Sequence, residues 1–175
     1  ESKLLENADS IIVMKSSEKH HFEYSSSCEY FTKMKVLDIP AITLQNRVKH
    51  EENKLVQNSN TIELVYIGSL PLSIRKPYYG LDLLKEIDNV RIKIVGPIPE
   101  SIKYLEYCKG LEHVSLTGSV PHETVGTLMH EADILLNFGN NIAEMVPSKI
   151  FEYISCGKPI LSFSPNNLDP SIYYL

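Results

Sequence analysis

Two carboxylates with seven residues between them, Glu144 and Glu152, bracket the part of this chain best suited to chemistry. Met145, Val146, Pro147, Ser148, Lys149, Ile150 and Phe151 separate them, and Cys156-Gly157-Lys158-Pro159 follows. Pro147 fits the first turn of a helix, where a missing N–H costs nothing. Gly157 fits the residue just past a helix end, and Pro159 prevents resumption. Ile150, Phe151 and Ile154 fall on one face at helical spacing. The spacing predicts a short helix from about Pro147 to about Cys156, with Glu144, Met145 and Val146 in the loop that enters it. First-turn N–H groups of such a helix lack backbone partners and carry partial positive charge. A phosphate is well served there, and Ser148 and Lys149 would add a hydroxyl and an ammonium. Glu144 can accept hydrogen bonds from hydroxyls attached beyond that phosphate, and Glu152 from a ribose on the other side.

The elements that must position these groups are regular from residue 61 onward. Strand patterns at Glu63–Ile67, Val90–Val95, Val114–Thr117, Ala132–Phe138 and Pro159–Phe163 alternate with helix patterns at Tyr78–Ile87, Pro99–Tyr107, His122–Glu131 and the helix above. That alternation predicts right-handed βαβ units, hence an α/β fold with a Rossmann-like, doubly wound parallel sheet. Gly68, Gly96, Gly118 and the loop from Phe138 to Val146 all fall after strand ends, the edge at which open parallel sheets bind ligands. Arg75 and Lys76, adjacent cations on the loop after the first of these strands, suit a pyrophosphate: a guanidinium binds two oxygens and an ammonium acts as a point charge. Gly139 permits a tight backbone, and Asn140 or Asn141 can bond sugar hydroxyls. Residues 1–45 read as a strand at Ile11–Val13, a partly helical polar stretch and a second strand at Lys35–Pro40; residues 46–60 read as a charged linker.

Composition narrows the classes. Apolar content of 43% and charged content of 22% are ordinary for a globular chain. A net charge of −5 argues against a general nucleic-acid binder. Cys28, Cys108 and Cys156 form no C-x-x-C, so neither a disulfide framework nor a metal site is expected, and a reducing, cytoplasmic compartment is the natural reading. No apolar run approaches membrane-spanning length, and no signal peptide is recognisable. The chain lacks the G-x-G-x-x-G of a dinucleotide fold and has no P-loop. One loop entering one helix does not offer the opposed carboxylates of a glycosidase.

The sixteen residues from Glu144 to Pro159, with Pro147-Ser-Lys-Ile-Phe-Glu-Tyr and Gly157-Lys-Pro-Ile, resemble the E-x7-E signature of retaining GT-B glycosyltransferases. The resemblance covers residues 60–163 well and 1–45 loosely. It implies that 1–45 closes an N-terminal acceptor domain and crosses over, and that 61–175 is a nucleotide-sugar-binding domain cut short at its C-terminus, a fragment inactive alone. It further implies retaining transfer of a hexosyl group from a nucleotide-diphosphate sugar of UDP or GDP type to an acceptor glycan or lipid-linked sugar. No other cofactor and no metal are expected. The implied setting is polysaccharide or glycolipid assembly, at the inner face of the plasma membrane, with peripheral association through the missing N-terminal domain. Glu144 and Lys76 take the catalytic positions. Glu152, Arg75, Gly68, Ser69, Gly118, Ser119, Val120, Met145, Val146, Pro147, Ser148 and Lys149 take the binding positions, with Gly118–Val120 set against the base. The family has Gly-Arg on leaving the first strand and Lys-Gly later, where this chain has Gly68-Ser69 and Lys76-Pro77. Which of Arg75 and Lys76 meets the pyrophosphate is therefore open. A sugar-nucleotide epimerase of the same architecture and a non-catalytic nucleotide-binding module are the competing readings.

Overall fold

The computed structural model describes residues 2–38, 60–143, 145–167 and 169–175. Glu144 and the expected linker, apart from Asn60, lie outside the described residues, as do Ile39 and Pro40 of the expected second strand. A short helix α1 (Ser2–Asn7), which the sequence reading lacks, precedes β1 (Ile11–Met14) and β2 (Met34–Leu37). These two strands pair in parallel as a sheet of their own. The polar stretch between them folds as 3-10 and π turns at Lys15–Ser17, His20–Tyr24 and Ser26–Lys33 rather than an α-helix. Serines at 25, 26 and 27 favour this: the Ser25 hydroxyl accepts from the Ser27 N–H and so competes with helical pairing.

The second sheet holds five parallel strands: β3 (Ile62–Ile67), β4 (Val90–Val95), β5 (Val114–Gly118), β6 (Ile134–Phe138) and β7 (Ile160–Phe163), in the order β5-β4-β3-β6-β7. Helices α2 (Tyr78–Leu84) and α3 (Ile102–Lys109) cover one face; α4 (His122–Glu131) and α5 (Lys149–Cys156) cover the other. The period-2 pattern explains the division. Leu64, Tyr66, Ile92 and Ile94 point to α2 and α3, whereas Val65, Ile67 and Val95 point to α4 and α5. Both faces are therefore buried, as parallel sheets require.

Several helix bounds differ from expectation. Helix α2 stops at Leu84, and Ile87 is exposed beyond it. Helix α3 begins at Ile102 rather than near Pro99, because the Ser101 hydroxyl caps it by accepting from the Tyr104 N–H. Helix α5 begins at Lys149 rather than Pro147. The Ile150 and Phe151 N–H groups bond the carbonyls of Pro147 and Ser148, three residues back, so the entry is a tight 3-10-like turn. Gly157 ends α5 in the left-handed conformation, φ 69°.

The strand order reverses between β3 and β6. Their ladder registers only Leu64 with Ile134 and Val65 with Leu135, so the strands part before their carboxyl ends. This is the switch-point crevice of a doubly wound sheet.

Candidate nucleotide-sugar site at the carboxyl edge

Three glycine turns form the rim of this crevice. Gly68, Gly96 and Gly118 leave β3, β4 and β5 with φ of 143°, 141° and 78°, backbone that L side chains rarely adopt. The Gly68 N–H donates to the Val95 carbonyl and the Gly96 N–H to the Gly118 carbonyl, both at 2.9 Å. A Cβ on Gly96 would overlap the Gly68 carbonyl, so the turns approach backbone to backbone. A β-bulge between Ile94 and Val95 against β5 re-aims the strand end just before Gly118.

Helix α5 closes the crevice from the other side. Tyr153, 1% exposed, reaches from α5 to the end of β3. Its hydroxyl accepts from the Ile67 N–H at 2.7 Å and donates to the Ile67 carbonyl at 3.2 Å. It thus serves both groups where the β3–β6 ladder has ended. Burial pushes this phenol well above its ordinary pKa, so it keeps the proton it must donate. With α5 pinned there, Lys149 lies against the Gly68 turn, and a Cβ on Gly68 would meet its Cγ at 3.8 Å.

Most of the predicted residues meet on this rim. The Lys149 ammonium lies 2.6 Å from both carboxylate oxygens of Glu152, three residues on, and the pair is about three-quarters buried. Lys149, read as an ammonium for a phosphate, is thus bound to Glu152, read as the ribose acceptor. A carboxylate offers about four acceptor sites, so two bonds to Lys149 leave room for hydroxyl donors. Ser148 is exposed and makes no capping bond. The N–H groups of Ser148 and Lys149 donate to no backbone carbonyl among the described residues. Pro147 is buried, Val146 packs on the core beneath α5, and Met145 is exposed. Gly118, Ser119 and Val120 flank the rim one strand further out, with Ser119 exposed.

Arg75 and Lys76 differ sharply. Lys76 is exposed and makes no ion pair among the described residues. Arg75 is held: Nη1 donates to the Tyr66 hydroxyl at 2.7 Å and to the Ser69 carbonyl at 2.9 Å, and Nε donates to Asn140 Oδ1 at 2.9 Å. Burial raises the Tyr66 phenol, against the opposing charge of Arg75. The protonated hydroxyl donates to the Ser69 carbonyl at 2.7 Å. Asn140, read as a partner for sugar hydroxyls, is fully buried between Arg75 and the Met145 carbonyl, to which its amide donates. Asn141 likewise turns to the protein: its N–H donates to the Ile74 carbonyl at 2.9 Å and its side chain to the Ser73 carbonyl.

Tyr66, Tyr153 and Asp169 are the contributors that sequence reasoning missed. A Cβ on Gly139 would overlap the Asp169 carboxylate, which is 2% exposed and accepts from the Ser164 and Ser171 hydroxyls. For Tyr66 the signal exists: it is a phenol in an otherwise apolar buried run, and a buried hydroxyl needs a partner.

Among the described residues no group of three His, Cys, Asp or Glu could hold a metal, and no helix is long and apolar enough to cross a membrane. A concavity of about 590 Å³ opens at the opposite, amino edge of the sheet, among Thr61, Glu63, Arg91, Lys93, His113 and Ser115. It lacks the glycine turns and the helix N-terminus, and part of its charge is spent in the 2.9 Å Lys93–Glu63 pair. The carboxyl edge has both features and is the stronger site.

The family model described as glycosyl transferases group 1 matches residues 54–169, about two thirds of the chain. The chain belongs to the glycosyl transferases group 1 family. No curated protein matches it. Among solved structures it is similar to Anabaena HepE in complex with UDP-glucose, with a TM-score of 0.70 and 18% identity over 96% of this chain and 47% of that one. It is also similar to sucrose-phosphate synthase from Thermosynechococcus elongatus (TM-score 0.64, 18% identity, 91% of this chain and 42% of that one). For WaaG, a glycosyltransferase involved in lipopolysaccharide biosynthesis, the TM-score is 0.62 and the identity 14%, over 93% of this chain and 45% of that one. At these identities the likeness is one of fold: the parallel sheet matches the Rossmann-like half of the GT-B fold. The chain spans about half the length of the solved structures it matches.

Proposed function

We propose that this chain binds a nucleoside-diphosphate sugar in the crevice between β3 and β6, as the donor-binding half of a retaining glycosyltransferase. The observation that carries the reading is the convergence of three positive-φ glycine turns and the α5 entry at one switch point. In this reading the Ser148 and Lys149 N–H groups and the Lys76 ammonium receive the diphosphate. There they stabilise the charge that grows on it as the bond from the sugar's anomeric carbon to the phosphate oxygen breaks. Glu152, oriented by Lys149, accepts from the ribose hydroxyls, and the contact with the donor sugar is assigned to Glu144 from its place in the motif alone. Backbone at Gly118–Val120 reads the base. HepE, solved with UDP-glucose, supports a uridine nucleotide as the first ligand to try. The acceptor is a glycan or lipid-linked sugar held by the other half of the enzyme, at the cytoplasmic face of a membrane.

The test is calorimetric titration of UDP, GDP and ADP, with 2′,3′-dideoxy-UDP as the ribose control, into the wild type and Glu152→Ala. A hydrogen bond to a charged group is worth about 1.5–3 kcal/mol, so losing the ribose contact should weaken UDP by roughly tenfold or more. The dideoxy ligand isolates that contact, because Glu152→Ala also frees the Lys149 ammonium. Wild type should discriminate against the dideoxy ligand and the variant should not. Equal binding of UDP and its dideoxy analogue by the wild type contradicts the assignment.

A further inference from the structure

We propose that Arg75 is a positioning residue: its guanidinium clasps the β3–α2 loop to the β6–α5 loop and thereby sets the backbone that leads into α5. The inference rests on the nucleotide reading only for its functional consequence. Its structural part stands alone.

The clasp is needed because the ladder between β3 and β6 ends at Val65 and Leu135. Beyond that point no further residues of the two strands are in register among the described residues, although the loops they feed must meet. Arg75 supplies the guanidinium part of the join, beside the Asn141 bonds to the Ile74 and Ser73 carbonyls. On one side Nη1 donates to the Tyr66 hydroxyl and the Ser69 carbonyl, fixing the turn that leaves β3. On the other side Nε donates to Asn140 Oδ1, and the Asn140 amide passes the constraint to the Met145 carbonyl. Met145 lies two residues before the buried Pro147, which opens the turn into α5. The Asn141 N–H to Ile74 carbonyl bond, 2.9 Å, closes the same junction next to Arg75 and serves as its reporter. Asn140 is fully buried, so its two bonds are its only visible partners among the described residues. A planar guanidinium presents donors in two directions from one rigid group, whereas an ammonium concentrates its donors on one atom. Geometry rather than charge is therefore what the position requires. On the same loop Lys76 is left as the cation that meets the diphosphate.

Lysine at position 75 separates the two roles. Amide exchange of the ligand-free chain is measured for wild type, Arg75→Lys, Arg75→Met, Asn140→Ala and the Arg75→Lys/Asn140→Ala pair. The Asn141 amide should exchange at least about tenfold faster in both Arg75 variants and in Asn140→Ala, with no further increase in the double variant. Amides of β4 should keep their rates, which shows that the fold persists. UDP titration then follows the same pattern, with Arg75→Lys weakened as much as Arg75→Met. Wild-type exchange at Asn141 in Arg75→Lys overturns the clasp, as does additive acceleration in the double variant. If the wild type binds no nucleoside diphosphate, the proposed function falls, and the exchange rates still decide the clasp.

Discussion

Replacing Tyr153 by Phe removes one oxygen atom and tests how α5 is held at the crevice. The Tyr153 hydroxyl is the partner of both the N–H and the carbonyl of Ile67, a residue 4% exposed. Phenylalanine fills the same space but leaves the buried N–H without its partner and takes one bond from the carbonyl. An unsatisfied buried group costs about 1–3 kcal/mol, and the carbonyl loses only one of two possible bonds, so the expected loss is about 2–4 kcal/mol. For a chain of this size, each kcal/mol lowers the melting temperature by roughly 2–4 °C, giving a fall of roughly 4–16 °C by calorimetry or circular dichroism. Tyr104→Phe is the control. The Tyr104 hydroxyl is equally buried but lies beside the weakly accepting Cys108 thiol and makes no hydrogen bond of normal geometry among the described residues. Its removal should leave the melting temperature unchanged or raise it, because a desolvated, unpaired group is deleted. A Tyr153→Phe protein that melts within about 1 °C of wild type refutes the reasoning, since about 2 kcal/mol should move it further. So does an equal fall in Tyr104→Phe.

Gly96→Ala places a Cβ on the Gly68 carbonyl at a φ of 141°, and neither backbone can yield cheaply. It should cost about 3 kcal/mol or more in denaturant unfolding. Gly126→Ala, in the middle of α4 with nothing within 4 Å of the new methyl, should instead stabilise by about 0.5–1 kcal/mol in the same experiment. Lys76→Met should weaken UDP several-fold while leaving uridine binding unchanged, measured by competition at two ionic strengths, because its contribution is a point charge on phosphate. Equal weakening of uridine would place Lys76 elsewhere.

The sheet was legible because its strands are aliphatic runs closed by glycine. Val90–Val95 ending at Gly96 shows strand core and terminator together, and His122–Glu131 is bounded by Pro121 and the buried Ala132. Residues 2–33 were less legible, since a six-residue helix and serine-rich 3-10 turns leave little periodicity. The rim was legible in outline, as Gly68, Gly118, Lys149 and Glu152 do surround the crevice. What the sequence hides is the choice of partner. Arg75 reads as a phosphate cation in one dimension, and only the fold brings Asn140, 65 residues away, to its Nε. Lys149 and Glu152 form the opposite case. Their i, i+3 spacing on a helix predicts contact, and the structure shows that the two side chains pair with each other.

Backbone amide shifts of the labelled chain during UDP titration locate the nucleotide residue by residue. Saturable shifts are expected at Gly68, Gly118–Val120 and Ser148–Glu152, with β7 and the amino ends of the strands undisturbed. Shifts confined to Asn89–Lys93 and Glu112–Ser115 would put the ligand in the concavity at the amino edge and contradict the proposed site.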